Sequence, residues 1–503
     1  MTRSAFMAMV LVACLLALKI AAPSQTDPIT ASHAAHFDPQ PWLDDFHELM
    51  GAMESHYADL DWAIHDRRMD LPKLRLETED KLRQSGDEQT SRRVLEKFLD
   101  AFGDGHLSIT WPSMASSSSD KSSRKNMSLC SRLGYEAHHA AGIDFSLLPG
   151  FGNVEGEGSE LFPGGVLTLK SGVKLGILRI DSFSEHRFPE ECEKTIREMS
   201  LGDKATCDEG CENEIELRTA NRLTAELVTR VQQLRGKGAT ALLVDITNNG
   251  GGSDWNEPVV RSLSSVPLID AHSGFIKHEH WTTELEGRLR EVEADLEKGR
   301  EPRSVLADAA ERLRTAIARS KEPCDRSHAF SDGKISCSLE VDDLLYWSGV
   351  LPYAKPGSFA SLESKATLFH ALRYAYSEDT QRLPLYVVVD RRTWSSAERF
   401  ASILQDNAAA TIIGELTGGA GCGFTNGGIP TTLTHSRAEV KMPDCVGIRK
   451  DGSNGNDGVT PDDLVPWATR DTPFTKAIKL LGALEKARVV RIGSEAPHYG
   501  GSK

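Results

Sequence analysis

Three continuous apolar runs constrain the fold of this chain more than any other feature. They are Ala241–Ile246, Leu385–Asp390 and Ala409–Gly414. Runs that are apolar at nearly every position suit strands that are buried on both faces of a mainly parallel sheet. A helical stretch, Ala397–Gln405, lies between the last two runs and gives the order strand, helix, strand. The C-terminal half is therefore predicted to have an α/β fold.

The chain has 503 residues, which is too long for one ordinary hydrophobic core. Residues 38–112 are predicted to form an N-terminal helical domain that ends at a Asp-Gly-His segment. Its first helix carries a one-sided apolar stripe, which is normally core: Phe46, Met50, Met53 and Tyr57. The other predicted units are a signal peptide at 1–24, a small β-rich region at 130–188, an α/β core at 189–475 with a helical insertion at about 280–345, and a C-terminal helix and tail at 476–503.

The first residues resemble an export signal. Arg3 supplies a positive start, and the stretch Ala5–Leu18 is almost wholly apolar. It is shorter than the ~20 residues of a membrane-spanning helix, so no stable membrane insertion is expected after its removal. An uncleaved N-terminal anchor is an open alternative, and a lipoprotein anchored at Cys14 is another. The chain is predicted to be exported, either to the cell envelope or periplasm or to the medium.

The net charge and the cysteine content restrict the ligands that this chain is expected to bind. The formal charge is −15, so the chain is expected to repel phosphate backbones and not to bind nucleic acid. An even number of cysteines in an exported chain favours disulfides, and the first pairs predicted are Cys324/Cys337 and Cys422/Cys445. Cys207 and Cys211 have no matching second pair with nearby histidines, which argues against zinc. Neither a metal nor another cofactor is expected.

The segment that follows the second apolar run is a candidate site for a nucleophile. Ser395 lies between a strand that ends at Asp390 and the start of a helix. The amide hydrogens and dipole of a helix N-terminus favour developing negative charge. Ser395 and Ser396 could equally be ordinary helix caps, and from this segment alone the cap is the better interpretation.

A glycine-rich loop follows the first apolar run. Gly250, Gly251 and Gly252 come directly after Asn248 and Asn249, so backbone amides there can approach a ligand closely. Such N–H groups can stabilise an oxyanion. A phosphate-binding loop is the competing interpretation, and it lacks both a Gly-Lys-Ser/Thr ending and a Gly-x-Gly-x-x-Gly pattern.

Two further segments supply a possible base and a possible acid. His106 lies where a helix breaks and a strand-like segment begins, and its near-neutral pKa suits proton transfer from a serine hydroxyl. Asp457 lies in a turn near Gly458, where it could orient a histidine or simply stabilise the turn.

Together these segments resemble peptidase family S41, which includes tail-specific (C-terminal-processing) proteases and the tricorn core. Four segments carry the resemblance, in the order of the family: Asp245–Gly252, Thr393–Glu398, Gly414–Thr417 and Gly458–Asp462. They match D-L-R-x-N-G-G-G, T-x-S-x-x-E, G-E-x-T and G-V-x-P-D. The resemblance implies a ClpP/crotonase-like core and a serine-type peptidase.

The chain departs from the tail-specific branch at the base. That branch places a lysine in a G-K-G context after G-E-x-T, where this chain has Ala420. The Asp-Gly-His segment instead resembles the branch that uses a histidine. The resemblance therefore implies Ser395 as nucleophile and His106 as base. The oxyanion donors would be the N–H groups of Gly250 or Gly251 and of Ser396. The acid that orients the histidine would be Asp457, with Asp104 as the second choice.

The prediction is thus a peptidase that cleaves peptides or proteins through an acyl-enzyme. The alternative is a non-catalytic lipid- or peptide-binding protein on the same fold. An α/β-hydrolase would need a G-x-S-x-G elbow around Ser395, and a metallopeptidase would need a cluster such as H-E-x-x-H; the sequence has neither. No PDZ-like module can be placed in residues 134–170.

Overall fold

The three apolar runs form adjacent parallel strands of one sheet in the computed structural model of the chain. The structure describes residues 37–112, 127–156, 158–202, 205–378 and 380–486, and the described residues from Pro39 onward belong to one compact unit. The predicted signal peptide with Cys14 and the tail after residue 486 lie outside the described residues. The predicted domain boundaries stay predictions.

Helices and strands alternate along most of the described chain. The helices are α1 (Gln40–His56), α2 (Leu60–His65), α3 (Leu71–Arg83), α4 (Glu88–Asp100), α5 (Leu129–Arg132), α6 (Pro189–Glu198), α7 (Glu209–Gly236), α8 (Asn256–Leu263), α9 (Glu279–Glu297), α10 (Arg303–Ser320), α11 (Ala329–Asp332), α12 (Lys365–Leu368), α13 (Ser396–Asp406) and α14 (Pro473–Lys486). The strands are β1 (Ser108–Thr110), β2 (Phe151–Asn153), β3 (Gly164–Thr168), β4 (Lys174–Arg179), β5 (Ala241–Asp245), β6 (His272–Ile276), β7 (Glu340–Tyr346), β8 (Leu385–Val389), β9 (Thr411–Gly414), β10 (Thr431–Thr432), β11 (Glu439–Lys441), β12 (Cys445–Gly447) and β13 (Asp463–Leu464).

The main sheet has seven strands in the order β13-β9-β8-β5-β4-β3-β2. Strands β4, β5, β8, β9 and β13 are parallel, and β3 and β2 continue the sheet as antiparallel strands. Because the chain leaves β5, β8 and β9 at the same edge, the loops after these strands meet there. This confirms the α/β prediction.

Alternating side chains of β5 serve two hydrophobic cores, one on each face of the sheet. Leu242 and Val244 join the core formed with α7, α8 and α13. Leu243 joins the core on the opposite face, with α14. A strand points successive side chains to opposite faces, so only an apolar residue at every position satisfies both cores.

The N-terminal helices carry the Asp-Gly-His segment to the sheet edge. The apolar stripe predicted in α1 is buried, and Phe46 packs edge-on against Phe98 of α4. After α4 the chain enters β1, which pairs antiparallel with β11 in a second sheet, β1-β11-β10. Strand pairing with a distant part of the chain thus fixes the position of the residues just before β1.

The helical insertion packs as a hairpin of α9 and α10 against β6 and β7. Leu285 and Val292 of α9 are fully buried with Leu306 and Leu313 of α10. The opposite side of α9 lines the main cleft through Glu284, Arg288 and Glu291.

Four disulfides connect the eight described cysteines. Both predicted pairs are confirmed, Cys324–Cys337 and Cys422–Cys445. The other two are Cys130–Cys192 and Cys207–Cys211. Among the described helices, none combines the length and the apolar character that a membrane crossing requires.

Candidate active site

Ser395 lies at the strained junction between β8 and α13. Its backbone has φ 54° and ψ −127°, a conformation that a residue with a side chain adopts only under constraint. The N–H of Ser395 donates to Glu398, and Trp394 N donates to the carbonyl of Asn249 in the neighbouring loop. These bonds hold the turn in place and present the Ser395 side chain to the cleft.

His106 reaches Ser395 across 289 residues of sequence. Its Nε2 lies 3.1 Å from Ser395 Oγ, which is hydrogen-bond distance. Gly105 makes the approach possible, since a Cβ there would lie 2.9 Å from the Cβ of Ala420. A longer side chain at position 420, such as the lysine of the tail-specific branch, would meet this segment.

Burial keeps the imidazole of His106 neutral. Desolvation lowers the pKa of His106 from 6.5 to about 4. Its Nδ1 is buried and makes no hydrogen bond with a described residue. For Nε2 to accept the Ser395 proton, Nδ1 must carry the ring hydrogen, so the structure offers a neutral base whose second nitrogen has no orienting carboxylate.

The two acids predicted to orient the histidine lie elsewhere. Asp457 accepts a hydrogen bond from Trp62 Nε1 at 3.0 Å and none from His106. Asp104 accepts from the backbone N–H of His106 at 2.8 Å and from the Tyr57 hydroxyl at 3.0 Å. Asp104 therefore fixes the backbone of the segment, and it does not touch the imidazole nitrogens.

A second buried carboxyl group stands near Asp104. Asp59 accepts a hydrogen bond from Asn454, and burial together with the charge of Asp104 raises its pKa. Burial raises the pKa of Asp104 to about 6. No local pattern of residues predicts this pair, because three helices separate Asp59 from Asp104 in the chain.

Gly251 packs directly against the turn that carries Ser395 and Ser396. A Cβ on Gly251 would lie 2.8 Å from Ser395 Cβ and 2.9 Å from Ser396 N, so only glycine fits. The Gly251 N–H itself donates to Asn249 Oδ1 at 2.8 Å. The N–H groups of Gly250 and Ser396 donate to no described residue, which leaves these two free to bind an oxyanion.

Glu398 organises the site in a way that sequence reasoning missed. Its carboxylate accepts from Thr417 Oγ1 and from the backbone N–H groups of Gly419 and Ala420, at 2.8 and 2.6 Å for the two amides. Burial raises the pKa of Glu398. The available signal was its position three residues after Ser395, which is the spacing of a capping box.

A cleft of about 780 Å³ opens over Ser395 and His106. Five carboxylates line it, and none forms an ion pair with lysine or arginine among the described residues: Glu185, Glu216, Asp254, Glu284 and Glu291. Three arginines also line it: Arg373, Arg288, on which the charges of Glu284, Glu291 and Asp254 act, and Arg399, which pairs with Glu257 and Asp270. The wall of this cleft is therefore polar and net negative.

Comparison with known proteins supports the family resemblance. The model of peptidase family S41 matches residues 309–465, a range that contains Ser395 but neither Gly250 nor His106. No curated protein matches the sequence.

Several solved structures are similar to this chain at low sequence identity. CPAF in complex with lactacystin has 16% identity and a TM-score of 0.55, with 90% of this chain and 99% of that chain covered. The photosystem II D1 C-terminal processing protease has 15% identity and a TM-score of 0.32, with coverages of 85% and 93%. The tricorn protease has 11% identity and a TM-score of 0.31, with coverages of 90% and 37%. The family model confirms the S41 resemblance for residues 309–465, and the likeness to CPAF confirms the fold that was expected, with a ClpP/crotonase-like core. The branch stays a prediction.

Proposed function

We propose that this chain is a serine peptidase of family S41, in which Ser395 is the nucleophile and His106 the general base. The observation that carries the proposal is the 3.1 Å distance between His106 Nε2 and Ser395 Oγ. A nucleophile and a base at hydrogen-bond distance are the minimum for acyl transfer. The low pKa of His106, about 4, keeps its imidazole in the accepting form at neutral pH.

The proposed reaction has two steps. In the first, His106 Nε2 takes the proton of Ser395 Oγ while the oxygen attacks the peptide carbonyl carbon. The carbonyl oxygen becomes an oxyanion, which the N–H groups of Gly250 and Ser396 would hold. His106 then gives its proton to the leaving amine, and Ser395 keeps the acyl group as an ester.

The second step reverses the roles. Water gives a proton to His106 Nε2 and attacks the ester carbonyl carbon, which again forms an oxyanion beside Gly250 and Ser396. The Ser395 oxygen leaves and recovers its proton from His106, which releases a carboxylic acid. The enzyme returns to its starting state, and no cofactor takes part in either step.

The cleft lining argues against the lipid-binding form of the alternative, a fatty-acid or retinoid carrier, and labelling of Ser395 tests the peptide-binding form. Lipid sites are lined mainly by apolar side chains, whereas this cleft carries five carboxylates without a lysine or arginine ion pair among the described residues. A fatty-acid carboxylate would be repelled there. Peptides, with their polar backbone, suit this lining better.

Labelling with a fluorophosphonate tests the nucleophile. The wild-type chain is expected to be labelled and Ser395→Ala to be unlabelled, because the reagent needs an activated serine oxygen. Ser396→Ala is the matched control: it removes the neighbouring hydroxyl, keeps the backbone N–H and should retain labelling. Labelling of Ser395→Ala at the wild-type rate would contradict the assignment.

We also propose that the chain is exported. Four disulfides in the described residues support an oxidising compartment, where such bonds persist. The apolar segment Ala5–Leu18 would direct the export and then be removed.

A further inference from the structure

A cluster of three side chains that can bind a metal, Glu185, His186 and Glu216, lies at the wall of the cleft, apart from Ser395. His186 Nε2 lies 3.5 Å from Glu216 Oε1, and His186 Nδ1 lies 4.0 Å from Glu185 Oε1. One donor atom from each residue lies within 4.8 Å of the others. Among the described residues, this is the only group of three or more such side chains with that spacing.

The charges of the cluster are unbalanced. Neither Glu185 nor Glu216 forms an ion pair with lysine or arginine among the described residues, and a histidine is their only basic neighbour within 4 Å. Glu185 is 5% exposed, and burial raises its pKa. A buried carboxylate without a cation is costly, so a positive charge placed here would be stabilising.

A buried hydroxyl group beside the cluster is also unsatisfied. The ring of Tyr135 lies 4.4 Å from the ring of His186, and its hydroxyl is close enough for the charges of Glu185 and Glu216 to act on it. Tyr135 is 3% exposed, and its hydroxyl has no hydrogen-bond partner of good geometry among the described residues, although the side chain of Thr219 lies close to it. Buried polar groups are rarely left in this state, and a hydrated ion would provide the missing partner.

We propose that Glu185, His186 and Glu216 bind a divalent transition-metal ion of the Zn²⁺ type. One imidazole and two carboxylates are a donor set that Zn²⁺ accepts, with bonds of about 2.0–2.2 Å. Donor atoms on one such ion lie about 3–4 Å apart, so a set with one donor atom from each residue, now within 4.8 Å of one another, would have to close by about 1 Å. A lysine or arginine side chain of a substrate fits less well, since a neutral imidazole is a metal ligand and a poor partner for a cationic side chain.

The position of the site ties it to the catalytic cleft without making it part of the reaction. Glu185 accepts a hydrogen bond from Ser253, the residue after the Gly250–Gly252 loop. Both Glu185 and Glu216 line the cleft. A bound ion would cancel two of the five carboxylate charges that face a substrate.

Competition with a chromophoric Zn²⁺ chelator tests the site on the whole purified protein. All eight described cysteines are in disulfides, so no thiol among them competes for the metal. His186→Gln and Glu216→Gln each remove one donor at a partly exposed position and are expected to weaken Zn²⁺ binding at least about tenfold. His139→Gln is the matched control, because its ring pairs with Asp181 at 3.0 Å outside the cluster, and it should bind as the wild type does.

Thermal unfolding gives a second measurement. Zn²⁺ should raise the Tm of the wild type and of His139→Gln, because a ligand that binds the native state stabilises it, and it should not raise the Tm of the two cluster variants. Zn²⁺ affinity that is equal in all four proteins would overturn the proposal, as would wild-type binding only at millimolar Zn²⁺. Labelling of Ser395 is independent of these results.

Discussion

At the residue scale, burial of His106 determines the pH at which the proposed base becomes available. Because desolvation lowers its pKa to about 4, the imidazole is neutral throughout the range from pH 5 upward. We expect kcat/KM to keep nearly its full value from pH 8 down to pH 5 and to fall through pH 4. A solvent-exposed histidine would instead lose activity near pH 6.5. A pH profile of peptide cleavage measures the difference.

The control for this profile is Asp104→Asn. Asp104 has a pKa raised to about 6 by burial and lies next to His106 in the same segment. If an acidic limb appears near pH 6 in the wild type and moves in Asp104→Asn, then Asp104 sets it. A limb near pH 6.5 in both proteins would contradict the low pKa of His106.

The lowered pKa also has a consequence for stability. The folded pKa of about 4 lies below the unfolded value near 6.5, so the unfolded chain binds more protons between these pH values. This histidine therefore contributes stability above pH 6.5, and the contribution is lost as the pH falls toward 4.

Sequence reasoning identified Ser395 and His106 as partners, and the structure brings them together. The reason is that each carries a local signal: a serine at a strand-to-helix turn, and a histidine at a helix break. Asp457 was predicted mainly from its position in a turn, and in the structure it accepts a hydrogen bond from Trp62. The environment of a side chain depends on tertiary packing, which no local pattern of residues reveals.

At the element scale, the loop after β5 packs against the Ser395 turn without room for one extra carbon atom. Gly251 has φ +90°, and a Cβ there would lie 2.7 Å from Trp394 O. Gly251→Ala is therefore expected to displace the turn and to lower kcat about a hundredfold or more. Gly250→Ala is the control, since nothing lies within 4 Å of its Cβ position and its N–H is kept. Similar kcat in the two variants would show that the contact is not needed.

The disulfide Cys422–Cys445 holds another element at the site. Gly423 follows Cys422 of this disulfide directly, and a Cβ at Gly423 would lie 3.2 Å from His106 Nε2. The bond closes 23 residues of chain, so its removal in Cys422→Ser/Cys445→Ser should cost about 3 kcal/mol of unfolding free energy and also lower activity.

The short disulfide Cys207–Cys211 is the matched control for this variant. It closes only four residues of chain, so its removal should cost about 2 kcal/mol or less. Denaturant unfolding and peptide cleavage of the two double variants make the comparison. Equal activity loss in both would argue against a role of Cys422–Cys445 at the site.

The strands of the core were predictable because burial on both faces of the sheet requires an apolar residue at nearly every position. The function of α9 was not predictable in this way. Leu285 and Val292 of α9 are buried in the core, and the structure shows that its polar side, with Glu284 and Arg288, lines the cleft. A polar helix face looks the same in a sequence whether it meets solvent or a substrate.

At the scale of the whole molecule, the order of the strands explains why distant segments form one site. Strands β5, β8 and β9 are adjacent and parallel, so the loops that follow them meet at one edge. His106 arrives there from outside this sheet, through the pairing of β1 with β11. The sheet was predictable from its apolar runs, whereas a pairing between segments more than 300 residues apart, with only three residues in each strand, left no readable signal.

The cysteine count makes a prediction about the mature chain. Nine cysteines are present, and eight are paired in the four disulfides, which leaves Cys14. If residues 1–24 are removed on export, the denatured and unreduced protein should contain no free thiol. Its intact mass should correspond to a chain that begins near residue 25. Titration with a thiol reagent and mass spectrometry measure both quantities.

Each alternative for the predicted signal peptide gives a different combination of free-thiol count and intact mass in this experiment. An uncleaved anchor keeps Cys14 as one free thiol and the full mass. Cleavage before Cys14 with attachment of lipid leaves no free thiol, but the protein begins at Cys14 and carries the mass of the acyl chains. Two or more free thiols would contradict the disulfide pairing itself, and with it the oxidising compartment on which the proposal of export depends.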